Sequence, residues 1–426
     1  MSSAAMTGVK GQYAGETLAA ESVQPRKILA VHRYYWPDTP PYAAMLRRIV
    51  AAWQDVGHQV EVLSSQPSYK EGLDNERRPA RDSVDGIAVD RMALPNETSR
   101  PLVRVVNALR LGAKLLWKAV TRRYDVIMIS TAPPVLGGVA AALASRLSGA
   151  RFIYHCMDIH PEVGKVSGEF ANPQVFRVLS KLDQWACRQA DPVVVLSQDM
   201  ANTLRERPAG EQLSIRVLNN FSLPAERPIP DELPFDWPAE AFTVLFAGNV
   251  GRFQGLETVV EAMGSLQHRD DIAFVMMGEG VAKSALQERA AELGARIHFV
   301  GHQPVEVAKA AMRRADAGFV SLTADIYRYA YPSKTMTYLE QGCPLIVAVE
   351  PESELASEVV AGGYGHAIPP GNSAALVELL EKLAEDGDVT SRMKVKAKAK
   401  AQQAFSEEVV LAEWGNLLQQ EERGKA

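Results

Sequence analysis

A glycine-rich loop near the middle of the chain has the composition of a phosphate-binding loop. It runs from Phe246 to Gly255, with glycines at 248, 251 and 255, between a predicted strand and a predicted helix. Glycine lets backbone amides approach a ligand closely, and the positive end of the following helix favours an anion. The loop has no P-loop lysine, and a tight strand-to-helix turn is the alternative interpretation.

A second candidate anion site is the sequence Tyr331-Pro332-Ser333-Lys334, which opens a helix predicted over Thr335–Gly342. Proline is expected at a helix start for structural reasons alone. Ser333 and Lys334, however, add a hydroxyl and a cation at the positive end of that helix. Two such helix starts in one half of the chain predict a diphosphate held between them.

Two histidines and two carboxylates cluster in the segment Tyr154–Glu162, just beyond a predicted strand. His155, Asp158 and His160 are our candidates for catalytic residues in an acid/base or acceptor-orienting site, because such groups can orient hydroxyls and exchange protons. The irregular spacing disfavours a metal site, since a zinc-binding helix places its ligands at fixed intervals. Structural histidines are the alternative.

A proline-rich loop over Arg33–Tyr42 contains four aromatic residues, again between a predicted strand and a predicted helix. Aromatic faces suit the apolar face of a sugar ring or a lipid head group. We therefore predict that Tyr34, Tyr35 and Tyr42 bind the acceptor. A small hydrophobic cluster beneath a long loop is the alternative interpretation.

The segment Arg100–Arg123 is predicted to form a basic amphipathic helix. Its cations fall within an arc of about 120° at 100° per residue, with apolar residues in another sector. No acidic residue lies between Glu97 and Asp125. This pattern predicts contact with an anionic membrane surface, whereas a solvated face would include acidic residues. The cations are Arg100, Arg104, Arg110, Lys114, Lys118 and Arg122.

Short runs of Val, Ile and Leu alternate with helical patterns along the chain, which is typical of doubly wound parallel sheets. Five prolines mark residues 222–240 as a linker between two such domains. Ligands of open parallel sheets bind beyond the carboxyl ends of the strands, so the four loops above should meet in a cleft. We predict a leader over 1–26, domains over 27–221 and 241–404, and a C-terminal helix in 405–426.

Composition narrows the function further. The chain has 426 residues, 47% of them hydrophobic and 23% charged, as in ordinary globular proteins. A net charge of −5 argues against a nucleic-acid partner. Three widely spaced cysteines argue against a disulfide framework and favour the cytoplasm. The uncharged run Val126–Ser145 contains Pro-Pro and Gly-Gly pairs, which predict a strand, a turn and a helix rather than a membrane span.

These motifs together resemble bacterial family-4 glycosyltransferases of the GT-B fold, in the subgroup that builds surface polysaccharides. The resemblance begins near Lys27 and reaches the tail. It is most specific at four short segments, namely Gly248–Gly251, Met277–Gly280, Phe299–Gly301 and Pro332–Lys334. The loop Asp158–Glu162 is similar to the family's Asp-Leu-Trp-Pro-Glu, with histidine at 160. The family's C-terminal helix crosses back to the first domain.

The resemblance implies a nucleotide-sugar site in the second domain, a UDP-sugar donor and metal-independent transfer with retention of the anomeric configuration. It places the diphosphate near Gly251, Ser333 and Lys334, and the base near the loop from Gly301. The full predicted donor set is Gly248, Asn249, Gly251, Arg252, Gln254, Gly278, Gly301, His302, Ser333, Lys334, Thr337 and Glu340.

The chain departs from the family at several of these positions. Thr337 and Tyr329 replace two glutamates that many relatives carry, and Glu340 lies one helical turn beyond Thr337, where it could contact the ribose. Asn249 and Gln254 replace an arginine and a lysine of the glycine loop, and Arg252 could supply the missing charge.

We therefore expect a glycosyltransferase that moves sugar from a nucleotide donor to a lipid-linked or polysaccharide-precursor acceptor. It should work on the cytoplasmic face of the membrane without a cofactor. An epimerase of the same fold and a catalytically silent nucleotide-sugar or lipid-binding partner in a synthesis complex are the alternatives. A nicotinamide dehydrogenase is disfavoured, because the first strand-to-helix loop, His32–Tyr42, has no glycine.

Overall fold

Two parallel sheets, one in each half of the chain, organise the protein in a computed structural model. The structure describes residues 24–38, 40–68, 77–97, 100–166, 168, 170, 172–251 and 254–419. Most of the predicted leader therefore lies outside the described residues. No helix within the described ranges is long and apolar enough to cross a membrane.

The first sheet has eight strands in the order β3-β4-β2-β1-β5-β6-β7-β8, and only β3 runs antiparallel to its neighbour. Its strands are β1 (Lys27–Val31), β2 (Gln59–Ser65), β3 (Arg81–Val84), β4 (Ile87–Met92), β5 (Val126–Ser130), β6 (Arg151–Cys156), β7 (Val193–Val195) and β8 (Ile215–Val217). The helices around it are α1 (Pro41–Asp55), α2 (Pro101–Arg122), α3 (Leu136–Ser148), α4 (Glu162–Val166), α5 (Pro173–Gln189) and α6 (Gln198–Glu206).

The second sheet has six parallel strands in the order β11-β10-β9-β12-β13-β14. They are β9 (Phe242–Ala247), β10 (Ile272–Met277), β11 (Ile297–Val300), β12 (Ala317–Ser321), β13 (Leu345–Ala348) and β14 (Gly365–Ile368). The helices are α7 (Glu257–Ser265), α8 (Lys283–Glu292), α9 (Val305–Arg314), α10 (Lys334–Glu340), α11 (Glu354–Gly362), α12 (Ser373–Glu385) and α13 (Gly387–Lys400), followed by α14 (Glu407–Gln419).

Both sheets are covered by helices on both faces, which explains why their strands are continuous apolar runs. The predicted fold class, two doubly wound domains, is confirmed. In the second sheet the strand order reverses between β9 and β12. The glycine loop follows β9, and α10 begins after the loop from β12, so both candidate anion sites lie at this reversal point.

The last helix, α14, packs on the first domain rather than the second. Trp414 is 1% exposed and meets Trp53 of α1 edge-to-face, with ring centroids 5.9 Å apart. The Trp53 indole N–H donates to the Trp414 carbonyl at 3.3 Å, and Arg151 donates to the Leu417 carbonyl at 2.9 Å. The first domain's core therefore includes residues from the far end of the chain.

Helix α2 places part of its cation arc against the protein, whereas the sequence predicted that these cations contact a membrane surface. Lys118 is buried and paired with Glu61 of β2 and Asp90 of β4, at 3.2 Å for the latter. Lys114 pairs with Asp90 at 3.3 Å and Arg122 with Glu61 at 3.0 Å. The C-terminal half of the cation arc thus lies against the first sheet, because the neighbouring strands supply carboxylates that the helix itself lacks.

The apolar sector of α2 faces solvent instead. Six of its side chains are between 46% and 81% exposed, namely Leu102, Val105, Val106, Leu109, Trp117 and Val120. We refer to these six residues as the α2 stripe.

We predict that Trp414→Ala destabilises the protein by roughly 3–5 kcal/mol, the usual loss for a large aromatic side chain removed from a core. The reason is that both the first domain and the attachment of α14 depend on this ring. The measurement is chemical unfolding followed by circular dichroism. Trp117→Ala is the control, since Trp117 is 55% exposed. Equal losses in both variants would contradict this account.

Candidate active site

A cleft of about 1240 Å³ lies between the two domains. The first domain contributes Trp36, Asp38 and Asp158 to its walls, and the second contributes Gly248 and Lys334. Four loops that the sequence singled out therefore meet at one place, as the carboxyl ends of parallel strands require.

Two glycines bring the loops after β9 and β10 together. Gly248 and Gly278 have φ values of +149° and +146°, which non-glycine residues rarely adopt. A Cβ on Gly278 would lie 1.8 Å from the Gly248 carbonyl oxygen. Both residues line the cleft, so its floor on the second-domain side is bare backbone.

Helix α10 is fixed to the sheet by Tyr338, and this places Lys334. The Tyr338 hydroxyl accepts from the Ala247 amide at 2.7 Å and donates to the Leu245 carbonyl at 2.9 Å. A Cβ on Gly318 would lie 2.5 Å from the Tyr338 ring, so this ring fits only against glycine. The start of α10 is thereby held beside the glycine loop.

Lys334 is a partly buried cation whose charge no described carboxylate balances. Its Nζ donates to the Gln254 Oε1 at 2.9 Å and lies 3.7 Å from the Phe246 ring centroid. Burial desolvates the ammonium group, and this lowers the pKa of Lys334 to about 7. Among the described residues no carboxylate forms an ion pair with it. An anion in the cleft would restore the ordinary pKa.

Asp158 faces the cleft from the first domain, and burial raises its pKa to about 6. Its loop contacts the second domain directly. Asp158 forms an antiparallel bridge with Ala330, and the Ile159 amide donates to the Tyr329 carbonyl at 2.8 Å. Because Ala330 lies just before Pro332-Ser333-Lys334, this pairing positions the acidic group and the cation relative to one another.

His155 does not reach the cleft, which corrects its predicted catalytic role. It is fully buried, and burial lowers its pKa to about 3. Its Nδ1 is hydrogen-bonded to the Tyr42 hydroxyl at 2.8 Å, and its ring lies 4.8 Å from that of Trp414. Tyr42 is likewise buried, so its predicted contact with the acceptor is also wrong. Both residues belong to the first domain's core.

His160 does not line the cleft, and its backbone belongs to a hydrogen-bonded cluster around Arg207. Its carbonyl accepts from Arg207 at 2.9 Å. The Arg207 guanidinium also pairs with Glu162 and Asp183, both at 2.6 Å. This arrangement fixes the loop that carries Asp158, so His160 acts as part of its support.

The aromatic loop presents different residues from those predicted. Tyr35 is fully buried, which excludes acceptor contact in this conformation. Tyr34 is half-buried, and its hydroxyl donates to Glu97 at 3.3 Å. Trp36 and Asp38 line the cleft instead. The sequence indicated this loop but not which of its aromatic side chains points outward, because the loop has no strand or helix periodicity.

Most of the predicted donor residues line the cleft. They are Gly248, Asn249, Gln254, Gly278, His302, Ser333, Lys334 and Thr337. Arg252 lies outside the described residues. Gly251 and Gly301 support the walls without being part of the lining.

Glu340 corrects the prediction of a ribose contact. Its carboxylate pairs with the buried Lys309 at 2.8 Å and accepts from Ser222 at 2.7 Å. It therefore joins α10 to α9 and to the start of the linker rather than facing the cleft.

Within the part of the chain that the structure describes, no three His, Cys, Asp or Glu side chains are grouped closely enough to hold a metal ion.

Two doubly wound domains with a cleft between them, an unbalanced cation on one wall and a carboxylate on the other define the GT-B class of glycosyltransferases. Residues 42–220 match the family described as glycosyl transferase 4-like domain. Residues 232–402 match glycosyl transferases group 1. The two matches together span most of the chain, which therefore belongs to this two-domain glycosyltransferase family.

Similar proteins include the probable glycosyltransferase WbjE of Pseudomonas aeruginosa, 26% identical over 295 residues, which are 67% of this chain and 72% of that protein. The putative colanic acid biosynthesis glycosyl transferase WcaI of Escherichia coli is 24% identical over 351 residues, 77% of this chain and 84% of that protein.

Solved structures share the fold. Sucrose-phosphate synthase of Thermosynechococcus elongatus superimposes with a TM-score of 0.70 at 16% identity, over 92% of this chain and 98% of that one. Anabaena HepE in complex with UDP gives a TM-score of 0.66 at 19% identity, over 92% and 99%. At such identities the likeness shows the fold alone.

We predict that Gly278→Ala disrupts the cleft, because the added Cβ would overlap the Gly248 carbonyl and require a φ that costs roughly 1–3 kcal/mol. Thermal unfolding should shift to lower temperature. Gly387→Ala is the matched control, since nothing lies within 4 Å of its position and its φ is not positive. If Gly278→Ala unfolds at the same temperature as that control, the close approach of the two loops is wrong.

Proposed function

We propose that this protein transfers a sugar, with retention of configuration and without a metal, from a UDP-sugar to a lipid-linked acceptor in the synthesis of a surface polysaccharide. The observation that carries the proposal is Lys334, a partly buried cation without a carboxylate partner among the described residues, at the start of α10 in the cleft. A group of this kind stabilises a diphosphate more strongly as its charge increases on departure.

The donor would lie across the second-domain wall. The bare backbone at Gly248 and Gly278 leaves room for phosphate oxygens, and Ser333 adds a hydroxyl beside Lys334. Helix α10 has only 7 residues, so its amide groups supplement the lysine rather than replace it. Solved complexes of HepE, which shares the fold, with UDP and with UDP-glucose support a uridine diphosphate donor.

The transfer follows from this placement. The acceptor hydroxyl oxygen bonds to the anomeric carbon as the bond to the diphosphate oxygen breaks, and the hydroxyl proton passes to the departing diphosphate. Lys334 stabilises the charge on that diphosphate in the transition state. Asp158, on the opposite wall, would hold a hydroxyl of the sugar or the acceptor by accepting a hydrogen bond. Trp36 would offer a flat apolar face beside it.

The polysaccharide context rests on the relatives, since the WcaI protein carries colanic acid biosynthesis in its name.

We predict that Lys334→Ala weakens UDP binding by about 10–100-fold, the effect of losing a charge-assisted contact of roughly 1.5–3 kcal/mol. The measurement is calorimetric titration with UDP, GDP, ADP and dTDP in the presence of EDTA. Lys396→Ala, an exposed lysine on α13, is the control for the lost charge. If the unaltered protein binds none of the four nucleotides, the proposed transferase activity is contradicted and the alternative of a catalytically silent partner is favoured.

The same site makes UDP binding dependent on pH. With the Lys334 pKa at about 7, the ammonium is already present below pH 7. A bound diphosphate raises this pKa, so binding above pH 7 must take up a proton, and the affinity should fall as the pH rises. Calorimetry at pH 8 in buffers of different ionisation enthalpy measures the uptake. Lys334→Ala should lose it, and equal uptake by both proteins would exclude Lys334 as its source.

Membrane contact is the second part of the proposal. The α2 stripe carries six exposed apolar side chains, flanked by the exposed Arg100, Arg110 and Arg123. A helix of this kind can bury its apolar face in the head-group region while cations contact anionic lipids. The apolar stripe would supply the main contact, because half of the cation arc is paired with Glu61 and Asp90.

We predict that Leu109→Ser with Trp117→Ser weakens binding to phosphatidylglycerol vesicles by about tenfold or more, because roughly 1–2 kcal/mol of apolar burial is lost per side chain. Sedimentation with vesicles measures the effect. Val281→Ser with Val395→Ser is the matched control, since both valines are more than 70% exposed on the second domain. Unchanged sedimentation, or a change in oligomeric state alone, would remove the membrane role of α2.

A further inference from the structure

A second cavity, of about 680 Å³, lies within the first domain between α4 and α5. It falls in the size range of small-molecule sites. The rings of Phe176 and Trp185 form part of its wall, and Pro173 and Pro208 add further apolar surface. The proposed sugar transfer does not use this cavity.

Four cations surround these apolar walls. Lys165, Arg177, Lys181 and Arg188 all line the cavity and are all exposed. The one carboxylate in the lining, Glu162, is already paired with Arg207. Among the described side chains no ion pair involves any of the four cations. An apolar cavity with an excess of positive charge at its rim is complementary to an amphiphile with an anionic head.

Gln184 adds an unsatisfied polar group. It lines the cavity and is 7% exposed. Its Nε2 donates to the Pro208 carbonyl at 3.1 Å, whereas its Oε1 has no hydrogen-bond partner in the described part of the chain. A buried acceptor without a partner costs about 1–3 kcal/mol, so a ligand hydroxyl that donates to it would be favoured.

We propose that the cavity between α4 and α5 binds a single-chain membrane lipid that ends in a phosphate. The hydrocarbon chain packs against Phe176 and Trp185. The phosphate contacts the rim cations Lys165, Arg177 and Lys181.

The position of the cavity favours a membrane lipid over a free anion. Helices α2, α3 and α5 lie side by side on one face of the first sheet. Exposed apolar residues continue from the α2 stripe across this face, with Leu143 and Leu147 on α3 and Val175 and Val178 on α5. A bilayer that meets the α2 stripe would therefore also approach α5, beside which the cavity opens.

The cavity also adjoins the cleft. Glu162 and Lys165 of α4 line the cavity, whereas Val163 of the same short helix lines the cleft that holds Asp158. A lipid bound here would lie one helix away from the proposed site of transfer. This site goes beyond the proposed function. The first domain forms the cavity alone, whereas the choice of a membrane lipid as its ligand rests on the proposed membrane contact of the α2 stripe.

The experiment is calorimetric titration of the full chain with farnesyl monophosphate, with farnesol and inorganic phosphate as separate probes and with UDP present at saturation. We expect farnesyl monophosphate to bind at least tenfold more tightly than either part. Ser180→Trp, which fills the cavity, should abolish this binding. Lys165→Gln with Lys181→Gln should weaken it at least tenfold. Lys396→Gln with Lys398→Gln, an equal charge change on exposed α13, should leave it unchanged.

Circular dichroism and UDP affinity distinguish loss of the site from loss of the fold, since neither should change in the cavity variants. A failure of UDP binding in the unaltered protein would overturn the proposed function and leave the lipid site standing. The lipid site is overturned if farnesyl monophosphate does not bind or if Ser180→Trp binds it equally well. It is also overturned if saturating UDP abolishes the binding, because the lipid would then occupy the cleft. Equal affinity for inorganic phosphate also overturns it, because the cavity would then hold only an anion.

Discussion

The backbone pairing between the loop after β6 and the segment before α10 is the contact on which the cleft depends. Neither wall contains all of the required chemistry, because the carboxylate belongs to the first domain and the unbalanced cation to the second. The bridge between Asp158 and Ala330 joins the two loops at the cleft itself. A second cross-domain contact lies nearby, where the Glu354 amide donates to Asp199 at 2.8 Å and the Gln198 amide donates to Glu354 at 2.5 Å. A change in the relative position of the domains must therefore break backbone hydrogen bonds as well as side-chain contacts.

The sequence predicted the buried parallel strands well because each is a short apolar run between helices. Strands β1 and β5 are runs of this kind. The hairpin of β3 and β4 was missed, since β3 is the polar segment Arg-Asp-Ser-Val at the sheet edge. The signal was present in Asp85-Gly86, whose φ values of 54° and 78° form the tight turn between these strands.

At the site, position along the chain was more predictable than side-chain direction. Lys334 and Asp158 were found because a helix start and a strand end determine where such residues lie. His155 was wrongly assigned because the last residues of β6 are covered on both faces, and α14, from the far end of the sequence, covers one of them. The same limit applies to α2. Periodicity separated its faces correctly, but it could not show that Glu61 and Asp90 attract the cations inward.

The lowered pKa of Lys334 explains how the protein tolerates this side chain in the cleft before a ligand binds. A fully charged buried lysine would be costly, and a paired one would be unavailable to an anion. With burial lowering the Lys334 pKa to about 7, the group is part ammonium and part amine near neutrality. The packing of Tyr338 against Gly318 stabilises this arrangement from behind.

The crossing of α14 back to the first domain has a consequence for the order of folding. Trp53, Phe221 and Trp414 share one buried cluster, although the whole second domain lies between the last two in the sequence. During synthesis the first domain emerges with the part of this cluster beside α1 uncovered, and it cannot complete that core until the second domain has been made. The two domains therefore cannot mature one after the other. The core of the first domain is completed only after α14, which follows the second domain in the sequence, has been synthesised.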